Sequence, residues 1–301
     1  MESFDEVKKE IREKEGDIIT VEFGPYSMLP SGSFGDTEGF FTLTPTQEGL
    51  GILAKACKIP SSYLRNLPPD LQAENINYGV YAHSVREKYN LVVKDHNLVG
   101  LTKKDTEITT NKELVETLES SLLSLGLDNP EVINREIGTS RSMYIVKLTG
   151  TEVGVGIALE IFPMTSNPTL MIPCIIEKKT GIISLHPSAG NMEGSCKEPI
   201  MKNFILTRVI DQSKMLIEGF DRMKTTGIDN KFGSLEGALS SLKVGKSLSK
   251  FIMKKSLNGL LLTVYDLYLF LQRGDNSESL LSRKTTNTIC GKIISRMTGN
   301  A

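Results

Sequence analysis

Apolar residues change their spacing twice along the chain and so divide it into three stretches, 1–74, 75–198 and 199–301. In the first stretch Phe4, Val7 and Ile11 recur at helical spacing among charges until Gly16, and Ile18–Phe23 then alternates as a strand does. The segment from Gly24 to Gly39 holds Gly24, Gly32, Gly35, Gly39, Pro25 and Pro30, a loop composition. Phe40–Leu43 resumes a strand-like run. Thr44-Pro45 is expected to open a helix, with Thr44 as N-cap and Pro45 at the first helical position. Leu50, Leu53, Ala54 and Cys57 form the apolar face of that helix, which stops before Pro60. A second short helix, N-capped by Ser61, turns Tyr63, Leu64 and Leu67 inward and ends at Pro68-Pro69.

The second stretch reads as sheet. Tyr78–His83, Asn90–Val93 and Leu98–Lys103 are β-type segments, the last two joined by the polar turn Lys94-Asp95-His96-Asn97. Asn111–Leu125 interrupts them as an amphipathic helix, with Leu114, Val115, Leu118, Leu122 and Leu125 on one face and Gly126 as its stop. Ser142–Leu148, Val155–Phe162 and Leu170–Glu177 follow as strands, and Ile182–Leu185 is expected to pair with the last across Lys178-Lys179-Thr180-Gly181. From Pro199 the period is helical, over Met201–Lys224, Leu235–Leu242, Lys243–Leu257, Leu260–Gln272 and Thr285–Met297. The expected fold is α+β: a central, mainly antiparallel sheet with flanking helices and a helical C-terminal region, integrated as one domain.

Composition agrees with a folded chain. Of the 301 residues 39% are hydrophobic and 24% charged, which excludes a charge-rich disordered chain. No run approaches the ~20 apolar residues of a membrane span. Met1–Glu15 is charged where a secretory signal needs an apolar core, so a cytoplasmic location and no membrane partner are expected. Cys57, Cys174, Cys196 and Cys290 lie far apart, without the spacing of a zinc site or a disulfide framework.

The formal net charge of −1 hides an asymmetry. Residues 197–301 carry 17 basic and 9 acidic side chains, a balance of +8, against 18 and 27 in residues 1–196, a balance of −9. Such a split suits either a polyanion site in the basic third or head-to-tail contacts between copies. Within the basic third, helical spacing places Lys243, Lys246, Lys250 and Lys254 within about 80° of one another, apart from Val244, Leu248, Phe251 and Ile252. A row of ammonium groups matches a phosphate backbone, and the competing reading is an ordinary solvated face. A second basic set comprises Arg135, Arg141 and Lys147 around one strand, Lys178 and Lys179 in a turn, and Lys94, Lys103 and Lys104 around a hairpin. Arg141 stands in Gly138-Thr139-Ser140-Arg141-Ser142, whose hydroxyls and backbone N–H groups suit phosphate oxygens. Tyr78, Tyr81, Tyr89 and Tyr144 are candidates to stack on unpaired bases.

Catalytic motifs are lacking. His83, His96 and His186 have no metal-ligand spacing, and there is no phosphate-binding loop, nucleophile elbow or dinucleotide fingerprint. Thr44–Leu67 has only the outline of a helix-turn-helix, with Ser61, Ser62, Arg65 and Asn66 as its exposed polar residues. Scattered carboxylates such as Asp36, Glu38 and Asp95 would serve a metal-dependent hydrolase only if the fold gathered them. No cofactor and no metal is expected.

Two distant stretches resemble a family of uncharacterised phage- and plasmid-encoded proteins. The first runs from Phe41-Thr42-Leu43-Thr44 through Leu53-Ala54, Ile59-Pro60 and Tyr63-Leu64 to Leu67-Pro68-Pro69-Asp70-Leu71. The second is Thr263-Val264-Tyr265-Asp266-Leu267-Tyr268 with the terminal Gly291-Lys292-Ile293-Ile294. Between them, Gly156–Phe162 is similar to a small-then-apolar strand of that family, whereas Met164–Met171 departs from its pattern. The resemblance implies a mobile-element setting and the handling of DNA, and it supplies no catalytic residues. The expectation from the sequence is a non-enzymatic, oligomeric nucleic-acid-binding protein favouring single-stranded DNA for annealing or protection. Lys243, Lys246, Lys250 and Lys254 would contact the backbone, with Arg135, Arg141 and Lys147 as a second line. The alternative is a viral structural or assembly protein that self-associates through its acidic and basic regions.

Overall fold

The computed structural model describes the chain except residues 1–2, 16–17, 25, 37–40, 107, 128–129, 139–140, 151, 164–166, 189, 193–196, 257–262, 276–278 and 299–301. Its class is α+β, with antiparallel-rich sheets and a helical C-terminal region. The strands form two six-stranded sheets, where the sequence suggested one.

The first sheet is built mostly from the N-terminal stretch. After the helix α1 (Phe4–Glu15) come β1 (Ile18–Glu22), β2 (Ser27–Met28), β3 (Phe34–Gly35) and β4 (Thr42–Pro45). Helices α2 (Gln47–Ala56), α3 (Ser61–Arg65), α4 (Pro69–Ala82) and α5 (Val85–Lys88) separate these from the hairpin β5 (Tyr89–Lys94) and β6 (Asn97–Lys103). The spatial order is β1-β5-β6-β4-β3-β2, with β4 and β6 parallel and the other pairs antiparallel. Phe23, Phe34, Leu43, Leu53, Ile76, Leu91 and Leu98 fill the core between this sheet and its helices. Gly49 lets α2 settle on β6: a Cβ there would lie 2.1 Å from the Leu98 carbonyl oxygen.

Three local expectations change here. Thr44-Pro45 ends a strand, and the cap one step later is Thr46, whose hydroxyl accepts from the Gly49 N–H at 3.0 Å. Pro60, and not Ser61, precedes α3 as its N-cap. Tyr78–His83 is no strand: all but His83 belong to α4, which opens on Pro69 and buries Ala73, Ile76, Gly79 and Val80 at helical spacing.

The second sheet follows α6 (Asn111–Ser124), whose first turn is closed by a reciprocal capping box between Thr110 and Glu113. Its strands are β7 (Glu131–Glu136), β8 (Ser142–Thr149), β9 (Val153–Ile161), β10 (Thr169–Glu177), β11 (Ile182–Leu185) and β12 (Gly190–Met192), in the order β11-β10-β9-β8-β7. β12 also pairs with β10, over Thr169–Met171, while β11 pairs with Cys174–Glu177. Pro173, which has no N–H to donate, falls between the two pairings.

Both faces of this sheet are covered, so β8, β9 and β10 are almost wholly buried. Tyr144, Val146, Ile157, Leu159 and Met171 face a core shared with α1, α6 and the helix α7 (Glu198–Phe204). Met143, Ile145, Ala158, Ile172 and Cys174 face the other way. After α7 the chain widens into a π-helical segment, Ile205–Ile210, and continues through α8 (Ser213–Thr225), so the expected helix over Met201–Lys224 is interrupted. Then come α9 (Ile228–Phe232), α10 (Leu235–Ser241), α11 (Lys246–Ser256), α12 (Val264–Gly274) and α13 (Lys284–Met297), packed on one another around Phe220, Leu242, Ile252, Tyr268 and Ile293. Among the described residues no helix is long and apolar enough to cross a membrane.

Candidate nucleic-acid interface

The lysine row divides at a turn. Lys243 follows α10 with φ +57°, and its N–H donates to the Ser240 carbonyl at 3.0 Å, so it stands outside the helix on which the sequence placed it. The helix begins three residues later and carries Lys246, Lys250 and Lys254, all exposed. Ile252 is fully buried, and Val244 and Leu248 pack against the same C-terminal core. That anchoring turns the lysine face outward. No carboxylate lies within 4 Å of these three ammonium groups among the described residues. Met253 and Phe251, 39% and 37% exposed, flank the row. The sequence reading put Phe251 with the buried face, but it stands at the border of the two faces and rests its ring on Gly274 at the end of α12. No family model, no curated protein and no solved structure matches this chain. The site therefore rests on its own geometry.

Three members of the second basic set are engaged by carboxylates of the chain itself. Arg135 on β7 pairs with Glu10 of α1, tying the first helix to the edge of the second sheet. Arg141 pairs with Glu160, a buried carboxylate on β9 that also binds Lys284 of α13, and it lies over the Phe162 ring at 5.9 Å. Lys147 faces Glu131 across the β7–β8 pair at 3.4 Å, and its stem covers Gly154. Phosphate would have to compete with these carboxylates for all three cations, which sets them apart from the lysines of the row. Thr139 and Ser140, expected beside Arg141, lie outside the described residues, as do Glu38 and Cys196.

Elsewhere the structure gathers Lys178, Lys179 and Lys224 around an open basin of about 570 Å³, but Glu152 and Glu177 share it. Lys224 is further engaged by Asp221 at 2.8 Å and by the Phe220 ring. Of the candidate stacking tyrosines, Tyr144 is buried with its hydroxyl donating to Asn111 at 2.7 Å, and Tyr89 is half-buried. Tyr78 and Tyr81 are 74% and 87% exposed, on α4 beside the first sheet. The outlined helix-turn-helix has a second helix of only 5 residues, α3, whose Leu64 anchors it to the core. That is too little helix to enter a groove and read bases. No three His, Cys, Asp or Glu side chains come together as a metal site among the described residues.

Proposed function

We propose that this is a non-enzymatic nucleic-acid-binding protein that favours single strands, with α11 as its contact element. The observation that carries the reading is the row Lys246, Lys250 and Lys254: exposed, without carboxylate partners among the described residues, and held outward by Ile252. Backbone contact by such a row is independent of sequence and depends on salt, because each neutralised phosphate releases counterion. Phe251 and Met253 add apolar edges on which an unpaired base can rest, a surface that a duplex with stacked bases does not use. The mobile-element setting implied by the family resemblance belongs to this proposal.

The test is binding of a labelled single strand and its matching duplex across a salt series. Three backbone contacts give a slope of log affinity against log salt of about −2 for a single strand. Lys250→Glu together with Lys254→Glu is expected to weaken binding at least tenfold with an unchanged melting temperature, since both side chains are exposed. Unchanged affinity in that double variant overturns the proposal.

A second reading, self-assembly of a viral structural protein, is favoured by one specific feature. Tyr63, Leu71, Tyr78 and Tyr81 leave an apolar face exposed along α3 and α4. That reading expects Tyr78→Ser with Tyr81→Ser to reduce particle mass in light scattering without nucleic acid present.

A further inference from the structure

The π-helical segment borders a cleft of about 250 Å³ on the second sheet. Its wide turn shows in the Asp211 N–H, which donates to the Leu206 carbonyl five residues back at 2.9 Å. Such turns are uncommon in helices and recur at functional sites. Arg208, near the end of the π segment, and His186, just after β11, both line the cleft, together with the polar side chains Ser188 and Asn203. None of the described residues that line it is acidic.

One hydrogen bond sets which nitrogen of His186 can donate. Its Nδ1 accepts the Ser188 N–H at 3.1 Å, which leaves the proton of the neutral ring on Nε2. Burial, with the charge of Arg208 nearby, holds the ring below the usual histidine pKa, so it stays neutral and keeps that donor at physiological pH. Arg208 has no carboxylate within 4 Å among the described residues. Beside this polar end, Pro173, Ile200 and Phe204 give the cleft an apolar wall.

We propose that the cleft binds a small organic anion, its oxyanion group held by Arg208 and His186 and its apolar body lying against Ile200, Phe204 and Pro173. The guanidinium fork matches carboxylate and phosphate alike, and the described lining offers no carboxylate to a cation. The volume suits a body of about one ring, at the small end of ligand pockets. The site does not use α11, so its fate and that of the nucleic-acid reading are independent.

Calorimetric titration of the full chain with phenyl phosphate, benzoate and the neutral benzamide tests it. One saturable site per chain is expected for at least one of the two anions, and none for benzamide; the stronger anion names the oxyanion class. Arg208→Gln, at an exposed position, is expected to keep the wild-type melting temperature and to weaken that anion at least tenfold. The proposal is overturned if neither anion saturates, if benzamide binds as tightly, or if Arg208→Gln binds the anion as the wild type does.

Discussion

Glu160 shows how a single residue decides what its neighbours can do. It is 1% exposed on β9 and holds both Arg141 and Lys284, so the guanidinium that the sequence suggested for a phosphate is already tied to a carboxylate of its own chain. Glu160→Gln removes the shared charged acceptor of two part-exposed cations, and it is expected to lower unfolding free energy by about 2 kcal/mol in a denaturant titration. The cysteines follow the same logic of burial. Burial pushes the Cys57 and Cys290 thiols up to about 12, and it raises Cys174 as well. Thiolate is the reactive form, so peptide mapping after iodoacetamide in mildly alkaline solution should find all three unmodified in the folded protein and labelled once it is unfolded. Spacing alone located the lysines and cysteines, but their partners arrive from positions distant in the chain, such as Glu10 for Arg135 and Lys284 for Glu160.

At the scale of elements, periodicity was legible wherever one face is buried and the other wet. Asn111–Ser124 has the expected extent to within a residue and caps itself locally through Thr110 and Glu113. Ile182–Leu185 forms as expected and pairs with β10. The misreading of Tyr78–His83 came from Tyr78 and Tyr81, aromatic residues that suit a strand but here point to solvent from a helix. The signal that would have corrected it is Pro69 at the first helical position followed by Ala73, Ile76 and Val80. Glycines then set how closely the elements dock. A Cβ on Gly291 of α13 would fall 1.7 Å from the Leu185 carbonyl oxygen, a backbone atom that cannot step aside. Gly291→Ala is therefore expected to cost about 3 kcal/mol, read as a lower melting temperature, by forcing α13 off β11.

Across the whole molecule, α1 joins parts that the sequence kept separate. It precedes β1 of the first sheet, yet Phe4, Val7 and Ile11 are buried in the core of the second, beside α6. Ile11→Ala is expected to cost roughly 2–5 kcal/mol. Hydrogen exchange should show lost protection in α6, β8 and β9, with β5 and β6 unaffected. The sequence by itself determined the α+β class, the helical C-terminal third and the lysine row of α11, because each is written in local spacing. It also carried the charge asymmetry, which is a matter of counting. Only the tertiary structure decided that the strands divide into two sheets, since strand pairing joins Ile18–Glu22 to Asn90–Lys94 across a long intervening chain. It also decided which cations are free, because a salt bridge depends on distance in space. Lys246, Lys250 and Lys254 face solvent, while Arg135, Arg141 and Lys147 are held by carboxylates that folding brings beside them.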